Sequence, residues 1–183
     1  MEQKFYAHGK GKVTGVYTEL RKAILRAYVD MGVVTDYRVI EVWDRGNRKT
    51  RSVLELADGM EPIDANGSLE ATICILLEQE GVYVDVKSAL ESGKSPYQIL
   101  KQHSQKEPEN FTGCNLSAVL YYVSEGNYVM AMTNADRAEL IVGYDAQNIY
   151  VLDPMTGKMH KEGQKDAAAK YEACGNVFFS FLK

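Results

Sequence analysis

Apolar positions recur along this chain with two periods, and the change from one to the other organises it. Near the start, KFYAH reads as a short strand. In YTELRKAILRAYVDMG, Leu20, Ile24, Ala27 and Tyr28 recur at helical spacing, and Gly32 stops the run as a helix C-cap residue. DYRVIEVWDRG then alternates Tyr37, Val39, Glu41 and Trp43 against Arg38, Ile40, Val42 and Asp44. That alternation, apolar on both sides, predicts one strand covered on both faces, with Trp43 in the core. DRGNRKTR reads as a basic turn and SVLEL as a returning strand. The loop ADGMEPIDANG, rich in Asp, Gly, Pro and Asn, marks a boundary. It divides the chain into a strand-helix-strand extension, residues 1–60, and a main domain, residues 61–183.

From Ser68 the period becomes helical. SLEATICILLEQEG places Leu69, Ile73, Leu76 and Leu77 on one face, with Ser68 as N-cap and Gly81 closing. Two short helices follow in VKSALES and SPYQILKQH. A further helix lies in TGCNLSAVLYYVSEGN, with Leu116, Val119, Leu120 and Val123 inward. The remainder turns to short β-branched runs, YVMAM, ELIVGY and NIYVLD, separated by the turn signals DAQN and DPMTG. A polar helix, KDAAAKYEA, precedes a last strand, NVFFSFL. Helices first and an antiparallel sheet afterwards predict an α+β fold.

Composition narrows the function classes. Hydrophobic residues make up 45% and charged residues 25% of the 183 residues, which is enough for a core. The formal net charge is -4 and there is no run of Lys or Arg, so a nucleic-acid partner is not expected. No stretch approaches the roughly 20 apolar residues of a membrane helix, and the polar opening MEQKFYAHGKGK lacks a signal-like apolar run. Cys74, Cys114 and Cys174 show no C-x-x-C spacing, and His8, His103 and His160 stand singly. No metal and no cofactor are expected.

Two segments carry a resemblance. RAELIVGYDAQNIYVLDPMTG presents Gly143, Tyr144, Asp145, Asp153, Pro154, Thr156 and Gly157 in step with a strand, Gly-Tyr-Asp, a second strand and Asp-Pro. NGSLEATICILLEQEG holds Gly67, Ser68 and Gly81 in the frame of a Thr-Gly-Cys helix start with a closing Gly. Together they resemble the bacteriocin-processing leader peptidases and their bacterial papain-like relatives, over roughly residues 60 to 183. The resemblance implies a papain-like cysteine-peptidase-type fold, a helical part packed on an antiparallel sheet. It also implies membership of a larger bacterial protein, exported to the cell surface or secreted.

The chemistry of that family then decides the reading. Amide hydrolysis on this scaffold needs a thiolate at a helix N-terminus, an imidazole to exchange the proton, a carboxylate to orient it and an oxyanion donor. The resemblance places Ser68 at the nucleophile position and Arg137 at the His position. A hydroxyl is far less acidic than a thiol, and a guanidinium accepts no proton. Asp153 stands at the orienting carboxylate. The oxyanion Gln is absent, with Met60, Glu61, Asp64 and Asn66 nearby. Ser68, Arg137, Asp153 and Asn66 are therefore expected to be vestigial positions. An Arg137–Asp153 salt bridge is expected in the old cleft, against the alternative of a plain Asp-Pro turn. A thiol restored at position 68 would still have no base.

The alternative nucleophile is Cys114, because TGCNLSAV itself looks like a Thr-Gly-Cys helix start; His160 is the sole later histidine. A Glu70–Glu139 acid-base pair has no support in spacing. Tyr83, Tyr97, Tyr121, Tyr122, Tyr144 and Tyr150 either line a groove or serve as half-buried packing. The expectation is a non-catalytic binding or scaffolding module whose cleft holds a peptide or cell-wall component. An active peptidase or amidase using Cys114, and a ligand-free spacer, remain the alternatives.

Overall fold

The computed structural model describes residues 2–46 and 63–183. The expected SVLEL strand falls outside these residues. The chain opens with a hairpin, β1 (Phe5–Gly9) and β2 (Lys12–Tyr17), closed by Lys10 and Gly11, both in the left-handed region. The sequence pattern had not separated β2 from the surrounding glycines. Helix α1 (Leu20–Val29) buries Leu20, Ala23, Ile24 and Ala27, one stripe at helical spacing. Its end corrects the expected role of Gly32. Met31 takes the left-handed position, with its N–H on the Tyr28 carbonyl at 3.4 Å and the Gly32 N–H on the Ala27 carbonyl at 2.8 Å. Gly32 is required for another reason: a Cβ there would lie 1.6 Å from the His8 carbonyl oxygen.

The predicted single strand over DYRVIEVWDRG is two strands, β3 (Val33–Asp36) and β4 (Glu41–Asp44), joined by a turn. The Asp36 carboxylate organises it, accepting the N–H groups of Arg38 at 2.8 Å and Ile40 at 3.2 Å, while Val39 is left-handed. Tyr37, Val39 and Ile40 point outward, so the expected cover on both faces is also not found there. The four strands form a sheet of their own in the order β2-β1-β3-β4.

Helix α2 (Ser68–Gln79) is followed by α3 (Val86–Glu91) and α4 (Pro96–His103). Asp85 caps α3 by accepting from the Ser88 N–H, and Ser95 with Gln98 forms a capping box on α4. After the two-residue β5 (Glu109–Asn110), Asn115 caps α5 (Leu116–Ser124). Strands β6 (Val129–Asn134), β7 (Arg137–Tyr144), β8 (Asn148–Asp153) and β9 (Lys158–Gly163), helix α6 (Gln164–Ala173) and β10 (Phe178–Ser180) complete the chain. The second sheet is antiparallel throughout, ordered β5-β10-β6-β7-β8-β9. β9 runs through KMHKE, so His160 lies in an edge strand. Its polar, lysine-bearing sequence suits an edge.

Alternation along β7 sends its residues to two cores. Ala138, Leu140 and Val142 join α2, α3 and α4 on one face, with Ile73, Leu76, Ile99 and Leu100. Ile141 faces the other side, where α5 and α6 pack together with the N-terminal sheet. Trp43 is the link: 1% exposed, it donates its Nε1–H to the Ala118 carbonyl of α5 at 3.1 Å. The Tyr122 hydroxyl returns a bond to the Val42 carbonyl at 3.0 Å. The extension thus shares a continuous core with the helices behind the larger sheet.

Candidate functional site

The start of α2 lies against the start of β7, and this is where the positions singled out by the sequence converge. Gly67 is the N-cap and Ser68 the first helical residue, so the expected capping role of Ser68 is not found. Its hydroxyl instead accepts the backbone N–H of Ala138 at 3.2 Å. That bond lies beside Arg137, and Ser68 and Arg137 line one open hollow of about 830 Å³ with Asn66. Gly67, Leu69, Glu70 and Asp136 also line it, and one wall comes from α3, through Lys87, Leu90 and Glu91, which the sequence reading did not anticipate. Nothing in the α3 segment marks these residues except the cap at Asp85 that fixes where its helix begins.

Asn66 is held locally. Both its backbone N–H and its side-chain amide donate to Glu70, at 3.1 and 3.3 Å. Glu70 sits at the third helical position and closes the turn before the helix, as acidic residues do near a helix N-terminus. Glu139 lies on the other face of the sheet, where it accepts from Lys170 and from the Tyr171 hydroxyl, both at 2.6 Å. Glu70 and Glu139 do not form a pair.

Asp153 does not meet Arg137. Among the described residues no ion pair joins them, and this corrects the expected salt bridge. The carboxylate turns back into its own turn, accepting the Met155 N–H at 2.9 Å, and the Asp153 carbonyl accepts from Gly157, also at 2.9 Å. An Asp before Pro satisfies the turn first, and the side chain is spent there. The Arg137 side chain remains exposed, with no ion-pair partner among the described residues.

Cys114 stands in another part of the molecule. Its thiol is 0% exposed, in the core between α5 and the N-terminal section, and donates to the Arg21 carbonyl at 3.8 Å. Burial pushes it up to about 12, with Arg21 opposing only in part. The expected activation by a helix start does not occur, because Asn115 caps α5 and desolvation dominates the thiol. The three histidines of the chain are all described. His8 is bonded to Thr35 at 2.8 Å, His103 closes α4 and His160 lies in β9; none is hydrogen-bonded to Ser68 or Cys114. No group of three His, Cys, Asp or Glu among the described residues is placed to hold a metal ion.

The tyrosines do not line one groove. Tyr122 and Tyr144 are buried, Tyr121 and Tyr122 pack with Trp43 and Phe111, and Tyr97 lies against Phe179. Tyr150 donates its hydroxyl to Asp145 at 2.9 Å, and Tyr83 stands exposed beyond α2. No described helix is long and apolar enough to cross a membrane.

No family model matches this chain, and no curated protein matches it. Among solved structures it is similar to a crystal structure from Bacillus anthracis described as a C39-like peptidase. The TM-score is 0.60 at 14% sequence identity, over 74% of this chain and 98% of the other. At that identity the likeness speaks to the fold: a mixed α/β domain of the broad papain-like type.

Proposed function

We propose that this chain is a non-catalytic binding or scaffolding module built on a papain-like scaffold, with the Ser68–Arg137 hollow as its ligand seat. One observation carries the reading. The β7 residue that shares the hollow with Ser68 is Arg137, a guanidinium, and no histidine lines that hollow. A serine hydroxyl needs an adjacent base to become a nucleophile, and Arg holds its proton at any working pH. The ligand is a peptide or a cell-wall component, and the module belongs to a larger bacterial protein at the cell surface or secreted. The support for that setting is the sequence resemblance together with the fold of the Bacillus anthracis structure.

An active hydrolase using Cys114 is the competing reading. Against it stand a thiol with no exposed surface and no neighbouring histidine. The test is calorimetric titration with peptides and with soluble wall fragments, the samples being checked for cleavage by mass spectrometry. Binding without cleavage is expected, weakened about tenfold by Arg137→Ala, the loss of roughly one charge-assisted hydrogen bond. Cleavage by the unmodified protein would overturn the proposal.

A further inference from the structure

A second hollow, of about 280 Å³, opens at the far end of α2, between Cys74, Glu78 and the segment from Val82 to Val86. Glu70, Cys74 and Glu78 are four residues apart, so they share one face of α2. Glu70 lines the Ser68 hollow, while Cys74 and Glu78 line the second. Eight residues of helix separate the two ends by about 12 Å. Helix α3 forms the opposite wall of both, through Val86 at one end and Lys87, Leu90 and Glu91 at the other.

We propose that the two hollows are the ends of one groove between α2 and α3, and that its occupant is an extended peptide segment carrying Lys or Arg side chains. The inference rests on the reading that the Ser68 hollow seats a ligand, and it adds the chemistry of that ligand. Charge argues for it. Five carboxylates line the two hollows (Glu70, Glu78, Asp85, Glu91 and Asp136) against two cations, Lys87 and Arg137. Lys87 is already drawn toward Glu91 at 3.9 Å, and Arg137 stands only at the Ser68 end. The Cys74 thiol registers the same field: burial first, then Glu70, Glu78 and Asp85, push it up to about 11. Partly buried apolar side chains line both hollows, Leu69 and Leu90 the first and Cys74, Val82 and Val84 the second, where Tyr83 is 78% exposed. An extended chain rises about 3.3 Å per residue, so some four residues span the distance and place basic side chains beside both acidic ends.

The experiment is fluorescence anisotropy with two labelled decapeptides that share their apolar positions, one carrying four Lys and the other four Glu. The Lys peptide is expected to bind about tenfold more tightly at low salt, an advantage that shrinks as salt screens it. The Glu78→Gln/Asp85→Asn variant keeps the α3 cap, since Asn caps as well as Asp, and is expected to weaken the Lys peptide about fivefold. A Glu2→Gln/Glu172→Gln variant, with the same charge change elsewhere, is expected to bind as the unmodified protein does. Equal binding of the two peptides, or a Lys peptide indifferent to Glu78→Gln/Asp85→Asn, overturns the inference. If the Glu peptide binds and Arg137→Ala abolishes it, the groove inference fails while the ligand-seat reading stands. Binding of neither peptide overturns the inference, and the ligand-seat reading then rests on the titration with wall fragments.

Discussion

The Ser68 hydroxyl and the Ala138 backbone N–H are hydrogen-bonded at 3.2 Å, which fixes the first residue of α2 to the second residue of β7. The bond occupies one of the two lone pairs of the hydroxyl oxygen. Ser68→Ala removes the acceptor and leaves a backbone donor without it, at a cost of about 1 kcal/mol. Urea denaturation checks this, with an unchanged midpoint as the contrary result.

Trp43 ties the N-terminal sheet to α5, so the two sheets are expected to unfold together. Trp43→Ala should cost about 3–5 kcal/mol, the usual range for deleting a buried large aromatic. The lone tryptophan's emission and far-ultraviolet circular dichroism should report the same transition in the unmodified protein. Two separate transitions would show that the extension folds independently.

Cys114 gives a pH dependence with a definite sign. Burial pushes the folded thiol up to about 12, above its ordinary value of 9.0. The thiol therefore favours the folded state below the unfolded pKa, and that contribution is lost as pH rises from about 9 toward 12. Alkaline unfolding should become less steep in Cys114→Ala. Under native conditions a disulfide reagent should leave Cys114 unmodified until the protein unfolds, and prompt reaction at Cys114 would contradict its placement.

Val39 is a β-branched residue in the left-handed region, at φ 64°, with its side chain 78% exposed. Val39→Gly removes the steric cost and forfeits little packing, and should stabilise the protein by about 1 kcal/mol. A lowered melting temperature would count against the turn as described.

Val39 also explains where the sequence pattern misled. Alternation runs without a break through Tyr37–Ile40, and propensity places no turn at a valine; the buried Asp36 carboxylate, satisfied by two backbone N–H groups, makes one. β2 was obscured by Gly11 and Gly15, and β9 by its charges, since edge strands need no apolar face. The helices were legible because each buries a stripe at helical spacing. The Arg137–Asp153 pair was not, because a local Asp-Pro turn outcompetes a long-range ion pair in a manner that spacing does not reveal. The α3 wall of the hollow carried no signal at all, since Lys87, Leu90 and Glu91 look like any exposed helix face.

Covalent labelling addresses the central claim most directly. The unmodified protein would be incubated at neutral pH with hydroxyl- and thiol-directed activity probes, and its intact mass measured. The absence of an imidazole from the Ser68 hollow and the burial of Cys114 predict no one-to-one adduct on either residue. A stoichiometric adduct that disappears in Ser68→Ala or Cys114→Ala would contradict the account.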